Sequence, residues 1–323
     1  MKGNNERINI EILCKCFSMS RQAYYQHECD LSKKVFKSII LLDKINDIRK
    51  RHPKIGTRKL QIMLNPFMQE NGIKMGRDAL FDFLYEHKLL IHSQKRNIKT
   101  TNSFHWLKKY PNLTVGFKPS KPNKLWVSDI TYWKTGGITF YISLITDAYS
   151  RKIVGYHLSE NLQTNQTIKA LNMAFSDAKK HHQSLEELIH HSDRGVQYCS
   201  NLYVNLLKKN DIKISMTQSG DPLENAIAER VNGIIKEEYL LNNECNNVKE
   251  ARKLLAKVVS LYNEERPHNS IGNLTPENVH NQYNKIEKEK IERLWKNYYR
   301  KKLSLQNQNG IEISEKIISM FNG

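Results

Sequence analysis

Cysteine is scarce in this chain of 323 residues. The five present, Cys14, Cys16, Cys29, Cys199 and Cys245, are odd in number and form no C-x-x-C pair. That argues against a disulfide framework and against a structural zinc site, and it fits a reduced, cytoplasmic setting. No run of 18 apolar residues occurs, so no membrane span is expected. The opening Met-Lys-Gly-Asn-Asn-Glu-Arg lacks the apolar core of a secretion signal. Acidic residues are few in the first part of the chain. Residues 1–124 hold 25 Lys and Arg against 10 Asp and Glu, a net of +15, whereas residues 125–323 hold 26 against 23, a net of +3. The total of +18 is therefore concentrated at the front, where it points to a polyanionic partner rather than to ordinary solubility charge.

The basic front half reads as helical. Ile8 to Cys16 is a short apolar-periodic helix, Phe17-Ser-Met-Ser20 a turn, and Ser20 a cap for a helix over Arg21 to His27. That pair has helix-turn-helix size, and a plain helical hairpin fits as well. A third helix is expected over about 33–51, ended by Pro53-Lys-Ile-Gly56. Shorter helices follow at 57–64 and 66–71, broken at Asn65-Pro66, and then an amphipathic helix from Arg77 to Lys88. Residues 1–92 are thus expected to form a helical region of helix-turn-helix type, a candidate DNA-binding region. Residues 93–124 form a basic linker in which Phe104, Trp106 and Tyr110 are interleaved with lysines. Such a pattern suits either a nucleic-acid backbone or packing on a neighbouring domain.

From residue 125 the period changes. Leu125–Lys134, Ile138–Thr146 and Lys152–Leu158 read as antiparallel strands, the first two joined by a Gly136-Gly137 hairpin turn. Helix 164–180, strand 188–191, helix 199–209, strand 212–216, a helix from about 221 to 240 and another over 247–263 follow. Together they make a mixed α/β core over 125–280. The tail, 281–323, carries no assigned role.

Three carboxylates stand out. Asp129 lies inside a strand, where Asp is disfavoured. Asp193 follows the fourth strand. Glu229 lies on the 221–240 helix, for which Asp221, Pro222 and Glu224 form a capping pattern. On that helix Leu223, Ile227, Val231, Ile234 and Ile235 gather on one side, and Asn225, Glu229, Asn232 and Lys236 on the other. Each acid alone reads equally as a turn, strand-end or solvated residue. His190 and His191 read as packed strand-end histidines. If the three acids meet at the rim of the sheet, they are a hard oxygen donor set suited to Mg²⁺ or Mn²⁺, in two copies, acting on DNA phosphodiesters.

The ordered motifs Trp126-x-Ser-Asp129-Ile-Thr-Tyr, Asp147-Ala-Tyr-Ser-Arg151-Lys-Ile-Val-Gly, His191-Ser-Asp193-Arg-Gly-Val-Gln-Tyr198, Asn225-Ala-x-Ala-Glu229, Lys236-x-Glu238 and Tyr262-Asn-x-x-Arg266-Pro-His268 are quoted as they stand, with 35 residues between Asp193 and Glu229. The sequence resembles the second-frame product of the IS-three family of bacterial insertion-sequence transposases, within the DDE transposase and retroviral-integrase superfamily. The resemblance implies an RNase H-like fold, metal-dependent strand cleavage and transfer at insertion-sequence ends, and Asp129, Asp193 and Glu229 as metal ligands. It implies DNA contacts from Lys236, and Arg194, Arg230, Asn225, Arg266 and His268 are expected to join it. It also implies a homodimer or larger synaptic assembly, and often a fusion to an upstream reading frame. The family's usual Asp before the Asn-Ala pair is Glu224 here, and the His-His-Cys-Cys module of retroviral integrases is absent. The competing readings are a non-catalytic DNA-binding regulator and a structure-selective nuclease.

Overall fold

The computed structural model describes residues 10–91, 105–218 and 225–281. Its contacts divide the chain into two compact units. One runs to Arg51 and resumes over Leu60–Leu90, and the other comprises His52–Lys59 and everything from Ile91 onward.

The first unit is helical: α1 (Ile10–Cys16), α2 (Arg21–Arg51), most of α3 (Thr57–Glu70) and α4 (Arg77–Glu86). Ser20 caps α2 as expected, its hydroxyl accepting the Ala23 N–H at 3.1 Å. The separate helices expected over 21–27 and 33–51 are one continuous helix of 31 residues. No Gly or Pro occurs between Arg21 and Arg51, so Asp30-Leu-Ser32 has nothing with which to stop it. The expected break at Asn65-Pro66 is also absent, because Pro66 sits inside α3. Pro66 is exposed, so the hydrogen bond it cannot donate is lost on the solvent side. Leu60, Leu64 and Met68, one turn apart on the opposite side, are buried and hold the helix straight through it.

The second unit is built on a five-stranded sheet in the order β3-β2-β1-β4-β5: β1 (Leu125–Thr135), β2 (Ile138–Asp147), β3 (Ile153–Ser159), β4 (Ile189–Ser192) and β5 (Lys213–Met216). The first three are antiparallel, and β4 pairs parallel to β1 and β5 parallel to β4. This is the RNase H-like arrangement. The β1–β2 hairpin turns at Gly136 (φ 54°) and Gly137 (φ 77°), the two left-handed positions of a type I′ turn. A Cβ on Gly136 would also stand 2.6 Å from the Cys245 carbonyl oxygen.

Strand alternation sorts the sheet into two faces. Trp133, Phe140, Ile142 and Leu144 pack with α8 (Ala226–Gly233), the π-helix that continues it (Ile234–Leu240) and α9 (Val248–Glu264), through Val231, Ile235, Leu255 and Tyr262. Trp126, Ile145 and Val154 face α5 (Thr164–Lys180) and α7 (Asn201–Lys209), with Leu171, Tyr203 and Leu207 between. At Gly155 helix and strand come closest, where a Cβ would meet that of Ala174 at 2.9 Å. A short helix, α6 (Val196–Cys199), follows β4, and α10 (Pro276–Asn281) closes the described chain. The capping pattern at Asp221, Pro222 and Glu224 lies outside the described residues, and the expected helix end near 240 agrees with that of the π-helix. Among the described residues no helix is long and apolar enough to cross a membrane.

Asp147, at the end of β2, ties this unit together. Fully buried, it accepts the Asn123 N–H at 2.7 Å, and the Ser150 N–H and hydroxyl at 2.7 and 2.8 Å. His280 of α10 lies 3.8 Å away and shares the Ser150 hydroxyl. Burial alone would raise its pKa, but His280 and the Ser150 and Asn123 N–H groups outweigh it and hold the carboxyl below its usual value. A depressed carboxylate contributes fully above its unfolded pKa of about 4 and loses that contribution as pH falls through the folded value. Asp147→Ala should therefore cost about 3–5 kcal/mol at pH 7. Urea denaturation as a function of pH checks the sign: Asp147→Asn should flatten the loss of stability below about pH 4. An acid limb identical in both proteins would remove Asp147 as its source.

Candidate active site

Strand register brings the first two acids together. β1 and β4 pair in parallel up to Val127 opposite His191. Asp129 and Asp193 each lie two residues further along, with the same parity, and therefore project from neighbouring chains toward the same side of the sheet. β4 ends at Ser192, so Asp193 opens the loop. There the Gly195 N–H donates to its Oδ1 at 2.9 Å and folds the turn back on the carboxylate. Asp129 Oδ1 accepts its neighbour's Ile130 N–H at 2.8 Å.

The third element arrives on asparagines. Asn225, at the start of α8, donates to the Ser128 carbonyl at 3.0 Å, and Asn232, two turns on, donates to Asp129 Oδ2 at 2.8 Å. Both are buried, and each leaves its side-chain oxygen without a hydrogen-bond partner. Of the polar stripe, Asn225 and Asn232 thus face β1, beside the buried Ala228 and Val231. Glu229 lies one turn before Asn232 on the same face, with its side chain exposed. Lys236 lies with Nζ 4.0 Å from the centre of the Tyr132 ring.

The electrostatics reflect this gathering. The Asp129 carboxyl is pushed up to about 7, first by burial and then by the charge of Asp193, with Glu229 adding to it. The bonds from Asn232 and Ile130 oppose the rise. Residue 129 as a whole keeps some exposure, but its carboxyl group is closely packed by Asn232, the β1 backbone and Asp193. Among the described residues no three His, Cys, Asp or Glu side chains share a common metal-binding distance. Asp129 and Asp193 are neighbours, and Glu229 acts on them from its exposed position. A divalent cation is the counter-charge that this donor set fits, hard oxygens only, with Asp129 destabilised by its own neighbours.

Beneath the acids, the Ser128 hydroxyl donates to the Leu144 carbonyl at 3.2 Å and lies 3.0 Å from Tyr198 Oη, whose own O–H can donate to it, so the Tyr198 of the Asp193 motif braces the strand that carries Asp129. His190 and His191 are buried packing residues. His190 is held by Tyr203 Oη at 3.0 Å with its pKa lowered to about 3 by burial, and His191 Nδ1 lies 2.8 Å from Ser215 Oγ.

Three expected DNA contacts need correction. Arg266 has no exposed surface. Its guanidinium makes a two-point bond to Glu238 on the π-helix, at 2.8 and 2.7 Å. His268 is buried against Ser270, its pKa held well below the usual histidine value by burial and nearby arginines. Asn225 is buried on Ser128. The Lys236-x-Glu238 and Arg266-Pro-His268 motifs are thus two halves of one structural pair. Arg194 is half-buried and Arg230 exposed, both beside acids of the cluster. Sequence reading gave Asn232 and Ser128 no role. The only available signal for Asn232 was its place three residues after Glu229.

The chain is similar to known proteins. The Integrase core domain family matches residues 119–222, and a second Integrase core domain family matches 210–276. A 31 kDa protein of insertion element IS600 from Shigella sonnei is 36% identical over 279 residues, covering 85% of this chain and 99% of its own length. The transposase of insertion sequence IS629 from the same species is 25% identical over 285 residues, covering 86% and 93%. The catalytic core domain of HTLV-2 integrase, solved in complex with magnesium, aligns with a TM-score of 0.39 at 21% identity over 50% of this chain and 97% of its own. With the sheet order, the paired strand-end aspartates and full-length relatives of this kind, the chain belongs to the bacterial insertion-sequence transposases of the DDE transposase and integrase superfamily, a family of polynucleotidyl transferases.

Proposed function

We propose that Asp129, Asp193 and Glu229 are the catalytic metal ligands of this transposase, with Mg²⁺ or Mn²⁺ as the ion and two ions per site. The substrates are the ends of the insertion sequence, and after cleavage the 3′-hydroxyl is joined to target DNA. The observation that carries this reading is the parallel register of β1 and β4, in which Asp129 and Asp193 each follow the Val127–His191 pair by two residues. Bound metal supplies charge neutralisation at the phosphate and activation of the attacking hydroxyl. The chain's own residues supply position. Asn232 fixes one oxygen of Asp129 and the Gly195 N–H one oxygen of Asp193. The side chain of Glu229 completes the set by swinging inward. Lys236, Arg194 and Arg230 hold phosphates around the acids, and the helices before residue 92 bind the element ends in sequence. Joining two ends requires two active sites, so the working form is a homodimer or larger, with or without fusion to an upstream frame.

Asp129→Asn, Asp193→Asn and Glu229→Gln should each lower strand joining by on the order of 10³-fold or more in a labelled-end assay, with the fold intact by circular dichroism. Normal joining by any one of them would remove that residue from the site. Thermal unfolding offers a readout independent of activity. With its pKa near 7 in the folded state and about 4 unfolded, Asp129 holds a proton in the folded chain that the unfolded chain has lost, so metal-free stability should fall as pH rises between those values. Millimolar Mg²⁺ should cancel that slope and raise the Tm of the wild type, but not of Asp129→Asn. A Tm indifferent to Mg²⁺ at pH 7.5 would contradict the metal assignment. Lys236→Ala should reduce the slope of log Kd against log salt by about one unit, equally for all DNA sequences. An unchanged slope would leave Lys236 as a packing partner of Tyr132 alone.

A further inference from the structure

The segment from His105 to Phe117 resolves an ambiguity in the basic linker. Its aromatic and apolar residues do not share one fate. Leu107 and Tyr110 pack against the core around Trp126 and Tyr203. The chain then runs along the outer edge of the sheet, where the Leu113 N–H donates to Ser215 Oγ at 2.8 Å and the Met216 N–H to the Pro111 carbonyl at 3.2 Å. Trp106, between these anchors and His105, is 90% exposed, more than any other large hydrophobic residue among those described. A tryptophan left in water beside two packed neighbours is not satisfied by its own fold.

Its position is fixed at the active site. His105 Nε2 lies 2.7 Å from the carbonyl oxygen of Arg194, the residue that follows Asp193. The thiol of Cys199 feels the negative charge of Asp193 and, opposing it, the positive charges of Lys109 and Arg194. Lys108 lies over the Tyr110 ring at 5.5 Å. The exposed indole thus follows a residue bonded to the Asp193 loop, in a lysine-bearing segment, and no acidic residue occurs between His105 and Lys124. Cationic side chains along a phosphate backbone combined with an exposed aromatic ring are the components of a single-strand contact, in which the ring receives an unstacked base.

We propose that Trp106 is a base-stacking contact for DNA at the catalytic rim, taking an unpaired or frayed nucleotide next to the reacting phosphate, with His105 as the clamp that holds it there. This deepens the strand-transfer reading and rests on it. The ligand is a DNA end whose last few bases are open, and the flat face of the indole makes the contact tolerant of base identity. Lys108 and Lys109 track the phosphates on either side.

The test uses the full chain and two DNA duplexes of equal length, one with three unpaired nucleotides at its end and one fully paired. Trp106→Ala should weaken binding of the frayed end by about 5- to 150-fold, the range of one base stacked on an aromatic ring. It should weaken the paired duplex by less, and the salt slope should stay unchanged. Trp106→Phe should recover most of the loss, whereas Lys108→Ala and Lys109→Ala should each lower the salt slope by about one unit. Equal loss for Phe and Ala, equal loss on both duplexes, or less than a twofold change would overturn the proposal. Because Trp106 is exposed, these variants keep the packing of the fold. Joining by Asp193→Asn, measured beside its binding, separates the two readings. Loss of joining with the Trp106-dependent binding preserved supports both. Preserved joining removes the metal reading but leaves the stacking result to stand on the frayed-end comparison.

Discussion

The parallel pairing of β1 with β4 is the constraint on which the catalytic end of the molecule depends. Two antiparallel neighbours would place residues 129 and 193 at positions set by a turn. A parallel pair instead lets β4 end beside the middle of β1 and project equivalent residues from the two chains toward the same side. The register at Val127 and His191 carries the two aspartates there two residues later. Such a site costs stability, since the Asp129 carboxyl is pushed up to about 7 by burial and then by the charge of Asp193. The surrounding structure offsets that cost with short, directed bonds, from Ile130, Asn232 and Gly195. The two buried asparagines of α8 are central, because they bond β1 at both ends of the helix contact and so fix the height of Glu229 relative to Asp129.

The same economy explains the π-helix. A widened turn after Gly233 re-aims the last residues of this helix, and such turns are common next to functional sites. Here it directs Glu238 to the buried Arg266, Lys236 to Tyr132, and Tyr239 to His52 at 2.8 Å. His52 in turn meets Glu265 at 3.1 Å. A buried ion pair of this kind contributes little net stability, but breaking it is expensive. It therefore acts as a register lock, holding the end of the Glu229 helix against the segment that follows α9. The motifs around Glu238 and Arg266 meet in this lock.

How far the sequence could be read follows from the range of the signals involved. The hairpin at Gly136-Gly137, the strands around it and the α5 helix are set by local alternation and turn chemistry, and all were legible. So were Asp129 as an acid out of place inside a strand and Asp193 as an acid just past one. The long α2 helix was not, because Asp30 and Ser32 look like a boundary although nothing there breaks a helix. Pro66 misled in the opposite sense, since a proline stops a helix only if the lost bond matters, and on the exposed side it does not. Arg266 and His268 were misplaced because an arginine is ordinarily at the surface, and its partner Glu238 lies 28 residues away on another element. The polar stripe on α8 was misleading in the same way. A helix whose polar face meets the sheet through Asn225 and Asn232 cannot be told from a solvated helix by periodicity.

The buried asparagines also bear on why this face of α8 is polar at all. An apolar contact between α8 and β1 would pack as well, but it would leave Asp129 Oδ2 and the Ser128 carbonyl without donors in a closely packed environment, each costing about 1–3 kcal/mol. It would also leave the carboxylate free to rotate. An amide in each place satisfies the acceptor and fixes its direction. The unpartnered oxygens of the two amides are the residual cost, accepted because the amide must present its nitrogen, not its oxygen, to β1. Aspartate in these positions would add further negative charge to a site already crowded with it, and lysine or arginine would neutralise Asp129 and compete with a divalent cation for the same oxygens. A neutral donor is the one chemistry that orients Asp129 without occupying its charge, and for that reason Asn232 belongs to the working geometry of the site as much as the acids do.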